Sequence, residues 1–230
     1  IPHYSNGQIS PTETTYTSPQ PFLDPLNGLN KFNRSPLIFE PGAKTSYSSY
    51  AYVLLSAVIQ RAGKQSFDEQ VDQRIAIPLG LKSLQLDLES KNHPHWAAGY
   101  IKDKEGNIVR APEDAHSWKH GAGGFKSDIG DFARWADGLL NHRLVSDASE
   151  RAMWRRQTLK TSELTKYGLG FQVGENGKWV GHGGSQPEAK SQMLLFPSEK
   201  ACVVVLCNCE FVNPKTIASA IATELHFGEN

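Results

Sequence analysis

The sequence predicts an α+β protein, in which an antiparallel sheet is flanked by helices and accompanied by a helical subdomain. The helical part is indicated by segment 48–62, where Tyr52, Leu55 and Ile59 recur at helical spacing. The last third of the chain changes to short apolar runs separated by turn residues, which predicts consecutive antiparallel strands. No internal repeat interrupts this order of helices followed by strands.

Three segments follow from this pattern, and the first two precede the strands. Residues 1–39 are rich in Pro, Ser, Thr and Asn, so we expect an irregular N-terminal arm with one short helix near 25–32. Residues 40–157 are expected to form the helical subdomain. Its expected boundaries are a helix end at Gly63, a cap at Ser66, a stop at Pro78-Leu79-Gly80, and helix starts at Ser127-Asp128 and Ser146-Asp147.

The third segment, residues 158–230, is expected to hold the antiparallel strands and a C-terminal helix. Four strands are predicted, followed by a helix, at 167–173, 178–182, 192–196, 201–208 and 214–225. The run Cys202–Leu206 is continuously apolar, so we expect it in the middle of the sheet. The three cysteines are clustered and odd in number, which is typical of small core side chains and not of a disulfide framework.

Composition excludes several classes of partner. The chain has 230 residues with 24 basic and 24 acidic side chains, so its net charge is zero. This balance gives no attraction to nucleic acid or to an anionic membrane surface, and no apolar run is long enough for a membrane span. We expect no cofactor and no metal. The spacing of His93 and His95 suits a metal, but a proline separates them in a loop.

Two motifs carry candidate chemistry. Tyr47 follows Pro41-Gly42 in a turn that opens a helix, and a phenol held there can relay a proton if cations lie nearby. His182 stands between glycines at the end of an apolar strand, where Gly183 and Gly184 allow a ligand to approach the backbone. Taken singly, each motif is more typical of an ordinary half-buried tyrosine and of a strand entering a turn.

Five motifs, taken in order, resemble those of the serine β-lactamase-like family. This family includes class C β-lactamases, penicillin-binding carboxypeptidases, D-amino-acid peptidases and related esterases. The motifs are Phe39-Glu40-Pro41-Gly42 with Tyr47-Ser48-Ser49, Ile75 with Pro78-Leu79-Gly80-Leu81, Ala98-Gly99-Tyr100, Gly123-Gly124-Phe125 with Ser127 and Asp131, and His182-Gly183-Gly184. The resemblance covers most of the chain and implies a β-lactamase/transpeptidase-like fold that is incomplete at its N-terminus.

The resemblance also implies roles for particular residues. Tyr47 would relay a proton between nucleophile and leaving group, and His182 would orient the substrate along its strand. Ser185 matches the position whose backbone N–H forms half of an oxyanion hole, beside Gly183 and Gly184. Ser49 stands where the family usually has Asn, so its contact with the substrate is in question. The family has either histidine or lysine at position 182. A histidine is mostly neutral at pH 7 and attracts a substrate carboxylate less than a lysine, so peptide, amide or ester substrates fit better than β-lactams.

The family's Ser-x-x-Lys nucleophile motif does not occur in these residues. We expect the nucleophile to lie upstream, in a parent serine hydrolase that forms an acyl-enzyme, and we expect this chain alone to be inactive. The alternative is a non-catalytic pseudoenzyme or binding module of the same fold.

Partners and compartment follow from the resemblance and the missing segment. The expected partners are a small-molecule or peptide substrate, and either the missing N-terminal segment or a second copy along an exposed strand edge. The compartment is unknown, and the resemblance favours a periplasmic or cell-envelope location. Tyr47 and His182 are expected to share one pocket.

Overall fold

The computed structural model describes residues 1, 24–30, 32–88, 96–112 and 116–228. Its α-helices are α1 (Pro25–Leu29), α2 (Ser49–Gly63), α3 (Phe67–Val71), α4 (Ile77–Leu79), α5 (Ile129–Leu140), α6 (Asp147–Met153) and α7 (Pro214–Glu224). Its strands are β1 (Gln85–Leu86), β2 (Tyr100–Lys102), β3 (Ile108–Arg110), β4 (Phe125–Lys126), β5 (Gln172–Val173), β6 (Val180–Ser185), β7 (Lys190–Phe196) and β8 (Ala201–Cys207). A π-helical turn (Asp72–Ala76) joins α3 to α4, and a 3-10 helix covers Ser117–Ala122.

The chain divides into two compact units. The first comprises the described residues of Ile1–Lys91, Glu113–Ser127 and Leu159–Thr161, and the second those of Asn92–Pro112, Asp128–Thr158 and Ser162–Asn230. The three segments expected from the sequence, with boundaries near residues 40 and 157, stay a prediction about domain organisation. Most of the expected N-terminal arm, and both His93 and His95, lie outside the described residues.

The first unit is built on α2 and the aromatic side chains around it. Ser48 caps this helix by accepting a hydrogen bond from the Ala51 backbone N–H, which fixes where the helix begins. The buried face of α2 packs into a cluster of four buried hydrophobic residues, Phe32, Tyr50, Val53 and Trp118. The Phe32 and Tyr50 rings stack with centroids 4.7 Å apart, so the residues after α1 and the 3-10 helix are held against α2.

The second unit is built on a four-stranded antiparallel sheet with the order β5-β6-β7-β8. Strand β7 has partners on both sides and is buried on both faces. Met193 and Leu195 enter one apolar cluster with residues of α5. Leu194 and Phe196 enter another with residues of α7. Successive side chains of a strand point to opposite faces, so one face of β7 packs against α5 and the other against α7.

The helix predictions are largely confirmed. Ser66 caps α3 in a reciprocal capping box with Glu69, and Asp128 and Ser146 cap α5 and α6. The expected stop at Pro78-Leu79-Gly80 is confirmed, since the helical path ends at Leu79 and is followed by Gly80, whose φ is +66°. The π-helical turn shifts the hydrogen bonds so that the proline, which lacks an N–H, lies at the junction with α4.

Two strand predictions need correction, although the antiparallel meander and the C-terminal helix are confirmed. Of the predicted strand 167–173, only Gln172–Val173 pairs as a strand, and Tyr167 makes an isolated bridge. The run Cys202–Leu206 does not lie mid-sheet: in the part of the chain that the structure describes, β8 pairs only with β7. Leu206 is accordingly 42% exposed. Apolar runs alone do not distinguish a central strand from an edge strand.

Candidate active-site segments

The turn that carries Tyr47 lies in the first unit, at the start of α2. Tyr47 immediately precedes the capping residue Ser48 and is 49% exposed, so its phenol is half open to solvent. Ser49 is the first residue of the helix and is only 3% exposed. The expected proton relay by Tyr47 and the expected substrate contact of Ser49 both stay predictions. Tyr47 has the surface for its role, while Ser49 offers little surface to a ligand.

A buried polar loop in the same unit contains two groups, Lys119 and His116, that were not predicted as site residues from the sequence. Lys119 and His116 are both buried, and the Lys119 ammonium lies 3.0 Å from His116 Nδ1. Because an ammonium can only donate, His116 Nδ1 is the acceptor in this contact. Lys119 Nζ also lies 5.5 Å from the centroid of the Trp118 ring. Lys119 lies four residues and His116 seven residues before Gly123, and no motif in the sequence joins the two.

The strand that carries His182 lies in the second unit. His182 Nδ1 is 2.7 Å from the Gly183 carbonyl oxygen, which can only accept, so this nitrogen is the donor. In the neutral ring Nε2 is then the acceptor nitrogen. The Tyr167 ring lies beside the imidazole, with centroids 5.9 Å apart. The Gly183 contact and the Tyr167 ring together fix the position of the imidazole beside β6.

Strand β6 presents part of its backbone at an open edge. Its register with β5 covers only Val180 and Gly181, so in the described chain no strand pairs with this edge from His182 to Ser185. On the other side, the Gln186 N–H donates to the Ala189 carbonyl in the hairpin with β7. Since N–H directions alternate along a strand, the N–H groups of Gly183 and Ser185 point to the open edge.

Gln192 is a further polar residue of this strand pair that sequence reasoning missed. It is buried on β7, opposite Gly183, and its side-chain amide donates to the carbonyls of His182 and Met193. A Cβ at Gly183 would lie 2.9 Å from Gln192 Oε1, so the glycine makes room for this amide. A buried amide that bonds two backbone carbonyls holds the His182 end of β6 in place. No sequence motif marked it, because a lone Gln in an apolar strand is not distinctive.

The predicted site residues therefore fall into two groups. Tyr47 and Ser49 lie together at the start of α2, and His182, Gly183, Gly184 and Ser185 lie together on β6. The expectation of a shared pocket stays a prediction. None of the described helices combines the length and the apolar character that crossing a bilayer requires.

Comparison with known proteins decides the family. The Beta-lactamase family model matches residues 14–225, which is nearly the whole chain. The chain belongs to the beta-lactamase family. A penicillin-binding protein of Bacillus subtilis is 25% identical over 75% of this chain and 41% of its own length. The mitochondrial serine beta-lactamase-like protein LACTB of Bos taurus is 25% identical over 88% of this chain and 44% of its own length.

Solved structures of this family agree in fold. The octameric penicillin-binding protein homologue from Pyrococcus abyssi matches with a TM-score of 0.74 and 25% identity, over 90% of this chain and 48% of that one. The expected fold class, α+β of the β-lactamase type, is therefore confirmed. The chain spans less than half the length of these curated relatives. The predicted site residues Tyr47 and His182–Ser185 lie inside the matched range.

Proposed function

We propose that this chain supplies the proton-relay and oxyanion segments of a serine hydrolase that cleaves amide, peptide or ester bonds through an acyl-enzyme. The single observation that supports this most strongly is the open edge of β6. Two outward N–H groups there, those of Gly183 and Ser185, can bind an extended substrate backbone or a carbonyl oxygen that becomes an oxyanion. One such donor is typically worth about 2.7–4 kcal/mol in the transition state.

The proposed reaction needs a nucleophile that these 230 residues do not supply in Ser-x-x-Lys form. A serine hydroxyl attacks the substrate carbonyl, its proton passes to a base, and the carbonyl oxygen becomes the oxyanion. Tyr47 then passes a proton to the leaving amine or alkoxide, which departs as the acyl-enzyme forms. His182 orients the substrate through its acceptor nitrogen. Water finally hydrolyses the ester bond of the acyl-enzyme and regenerates the serine.

The test uses the full-length gene product that contains this chain and an acylating probe such as a β-lactam or an activated ester. Mass spectrometry should find the acyl adduct on a serine outside residues 1–230. Tyr47→Phe should slow turnover of the ester by about a hundredfold, since loss of a positioned acid–base group costs about 10²–10⁴ in rate. Tyr100→Phe is the matched control, since Tyr100 is also exposed and lies on β2. It should leave the rate unchanged.

Two results would contradict the proposal. The absence of any serine adduct would contradict the serine hydrolase activity. A Tyr47→Phe rate equal to that of Tyr100→Phe would contradict the proton relay by Tyr47. We further expect the isolated 230-residue chain to show no turnover of activated esters. Turnover by that chain that disappears in Tyr47→Phe would contradict the assignment of the nucleophile to another segment.

The second candidate function is a non-catalytic binding module. The same open edge of β6 favours it, because strand addition by an extended peptide needs only unpaired backbone groups. Saturable binding of a peptide by the full-length protein, without a covalent adduct, would favour this candidate over the hydrolase.

A further inference from the structure

A cluster of side chains that can ligate a metal lies in the second unit. In the sequence, it precedes strand β6 by about 30 residues. His142 Nδ1 and one carboxylate oxygen each of Asp147 and Glu150 lie within 4.8 Å of one another. His142 belongs to the connection between α5 and α6, and the two acidic residues belong to the first turns of α6. An imidazole and two carboxylates are a ligand set that first-row divalent metals accept.

Glu150 gives the second, independent observation. Its side chain is only 9% exposed. Its Oε2 atom is buried and has no hydrogen-bond partner within the described residues. That same oxygen lies 3.2 Å from His142 Nδ1, a contact that balances the carboxylate charge only when the imidazole is protonated. A buried carboxylate whose nearest partner is a neutral imidazole is costly, so a cation beside it is favourable.

The distance between the two atoms also suits a shared metal ion. Tetrahedral zinc binds nitrogen and oxygen ligands at about 2.0–2.2 Å, which places two ligand atoms about 3.3 Å apart. The observed separation of His142 Nδ1 and Glu150 Oε2 is 3.2 Å. Asp147 already bonds Arg151 through Oδ2, and a carboxylate has a second oxygen for a metal. His142 and Asp147 are exposed, so water can complete the coordination.

The backbone at His142 shows why the imidazole reaches Glu150. The His142 N–H bonds to the Leu139 carbonyl and the Arg143 N–H to the Gly138 carbonyl, which together form a Schellman motif at the end of α5. His142 occupies the left-handed position of this motif, with φ +53°, where glycine is preferred. The motif turns the chain directly after α5 and brings residue 142 to the residues of α6.

We propose that His142, Asp147 and Glu150 bind a divalent transition-metal ion, with Zn²⁺ as the preferred ion, and that the ion joins the end of α5 to α6. Without a metal, two ion pairs occupy the same ligand atoms: His142 pairs with Glu150, and Asp147 pairs with Arg151. A metal adds to these because its two positive charges balance both carboxylates.

The test uses the full 230-residue chain, treated with EDTA, dialysed, and titrated with ZnCl₂ in a non-chelating buffer. We expect about one bound Zn²⁺ per chain and a higher melting temperature in its presence. MgCl₂ should not compete, since Mg²⁺ prefers an all-oxygen site. Co²⁺ in place of Zn²⁺ should give visible absorption bands from nitrogen and oxygen ligation.

Two variants make the result decisive. Glu150→Gln keeps the shape of the side chain and removes its charge, and we expect zinc affinity to fall at least tenfold. His142→Gly removes the imidazole and places the preferred residue at the left-handed position. We expect the variant to stay folded without zinc, because the gain at the left-handed position offsets the lost contact with Glu150, and to show no rise in melting temperature with zinc. Loss of zinc binding in this variant cannot then be attributed to unfolding.

The control is Glu163→Gln, which neutralises an exposed acid elsewhere in the same unit and should leave zinc binding unchanged. Absence of zinc binding by the wild-type chain would overturn the proposal. Binding that survives either His142→Gly or Glu150→Gln would overturn it as well, because the ion would then lie elsewhere.

Discussion

Acidification should destabilise the folded protein through a single buried histidine of the first unit, His120. This side chain is 1% exposed, and neither ring nitrogen has a hydrogen-bond partner among the described residues. The Phe67 ring meets it edge-on, and the backbone of Gly124 passes so close that a Cβ there would lie 2.5 Å from the backbone nitrogen of His120. Burial lowers the pKa of His120 from 6.5 to about 4, against weak opposition from Asp68 and Asp24.

The sign of the effect follows from proton uptake. Between pH 6.5 and about 4 the unfolded chain binds a proton at this residue and the folded chain does not, so lower pH favours unfolding. The contribution is complete above pH 6.5 and is lost as the pH falls towards the pKa of the folded state. Between pH 7.5 and 4.5 this one group should lower the free energy of unfolding by about 2.5 kcal/mol.

The assay is urea unfolding of the wild-type chain and His120→Asn at both pH values. Asparagine is polar like histidine but does not titrate, so the variant lacks only the proton uptake. On acidification, the free energy of unfolding of the wild type should fall by about 2.5 kcal/mol more than that of the variant, because the other titrating groups act equally in both proteins. An exposed histidine, His226, supplies the control substitution His226→Asn, which should retain the wild-type acid loss.

Equal acid losses in the wild type and His120→Asn would refute this reasoning. An NMR titration of the His120 ring gives a second measurement that does not depend on the variant. Its midpoint should lie near pH 4 in the folded protein, and a midpoint near 6.5 would contradict the buried, uncharged ring.

Two further predictions concern backbone space and helix capping. Gly181→Ala should lower the free energy of unfolding by about 3 kcal/mol, because the new Cβ would lie 2.1 Å from the Met193 carbonyl oxygen across the β6–β7 pair. Gly184→Ala should cost far less, since its nearest neighbour is a side-chain hydroxyl that can rotate away, and equal melting temperatures for the two variants would contradict this. Ser66→Ala should lower the free energy of unfolding by about 1 kcal/mol through loss of the capping box with Glu69. Urea unfolding checks it, and an unchanged midpoint would show that the cap contributes nothing.

Local signals in the sequence were sufficient for most helix boundaries. Ser66 with Glu69 three residues later, and Ser146 before α6, satisfy backbone N–H groups within one turn, so short-range chemistry decides them. The helix ends within Pro78-Leu79-Gly80 as predicted, but the π-helical turn before Pro78 was not predicted, because it depends on the packing of the whole helix. A local rule about proline does not contain that information.

The position of each strand within the sheet could not be read from its residues. The runs in β7 and β8 are similarly apolar, yet β7 is central and β8 has a partner on one side only among the described residues. The candidate motifs Tyr47 and His182 were recognisable because their neighbours in the sequence are distinctive. Gln192 and the pair of Lys119 with His116 were not, because their roles arise from burial against residues that no short motif includes.

The sequence by itself determined the family, the helix caps and the candidate chemistry at Tyr47 and His182, since these depend on residues close together in the chain. Only the tertiary structure decided that the N–H groups of Gly183 and Ser185 face an open edge, because the pairing register of β6 sets their direction. It likewise brought the His142 imidazole to Glu150, since a turn at the end of α5 and the burial of α6 fix that distance.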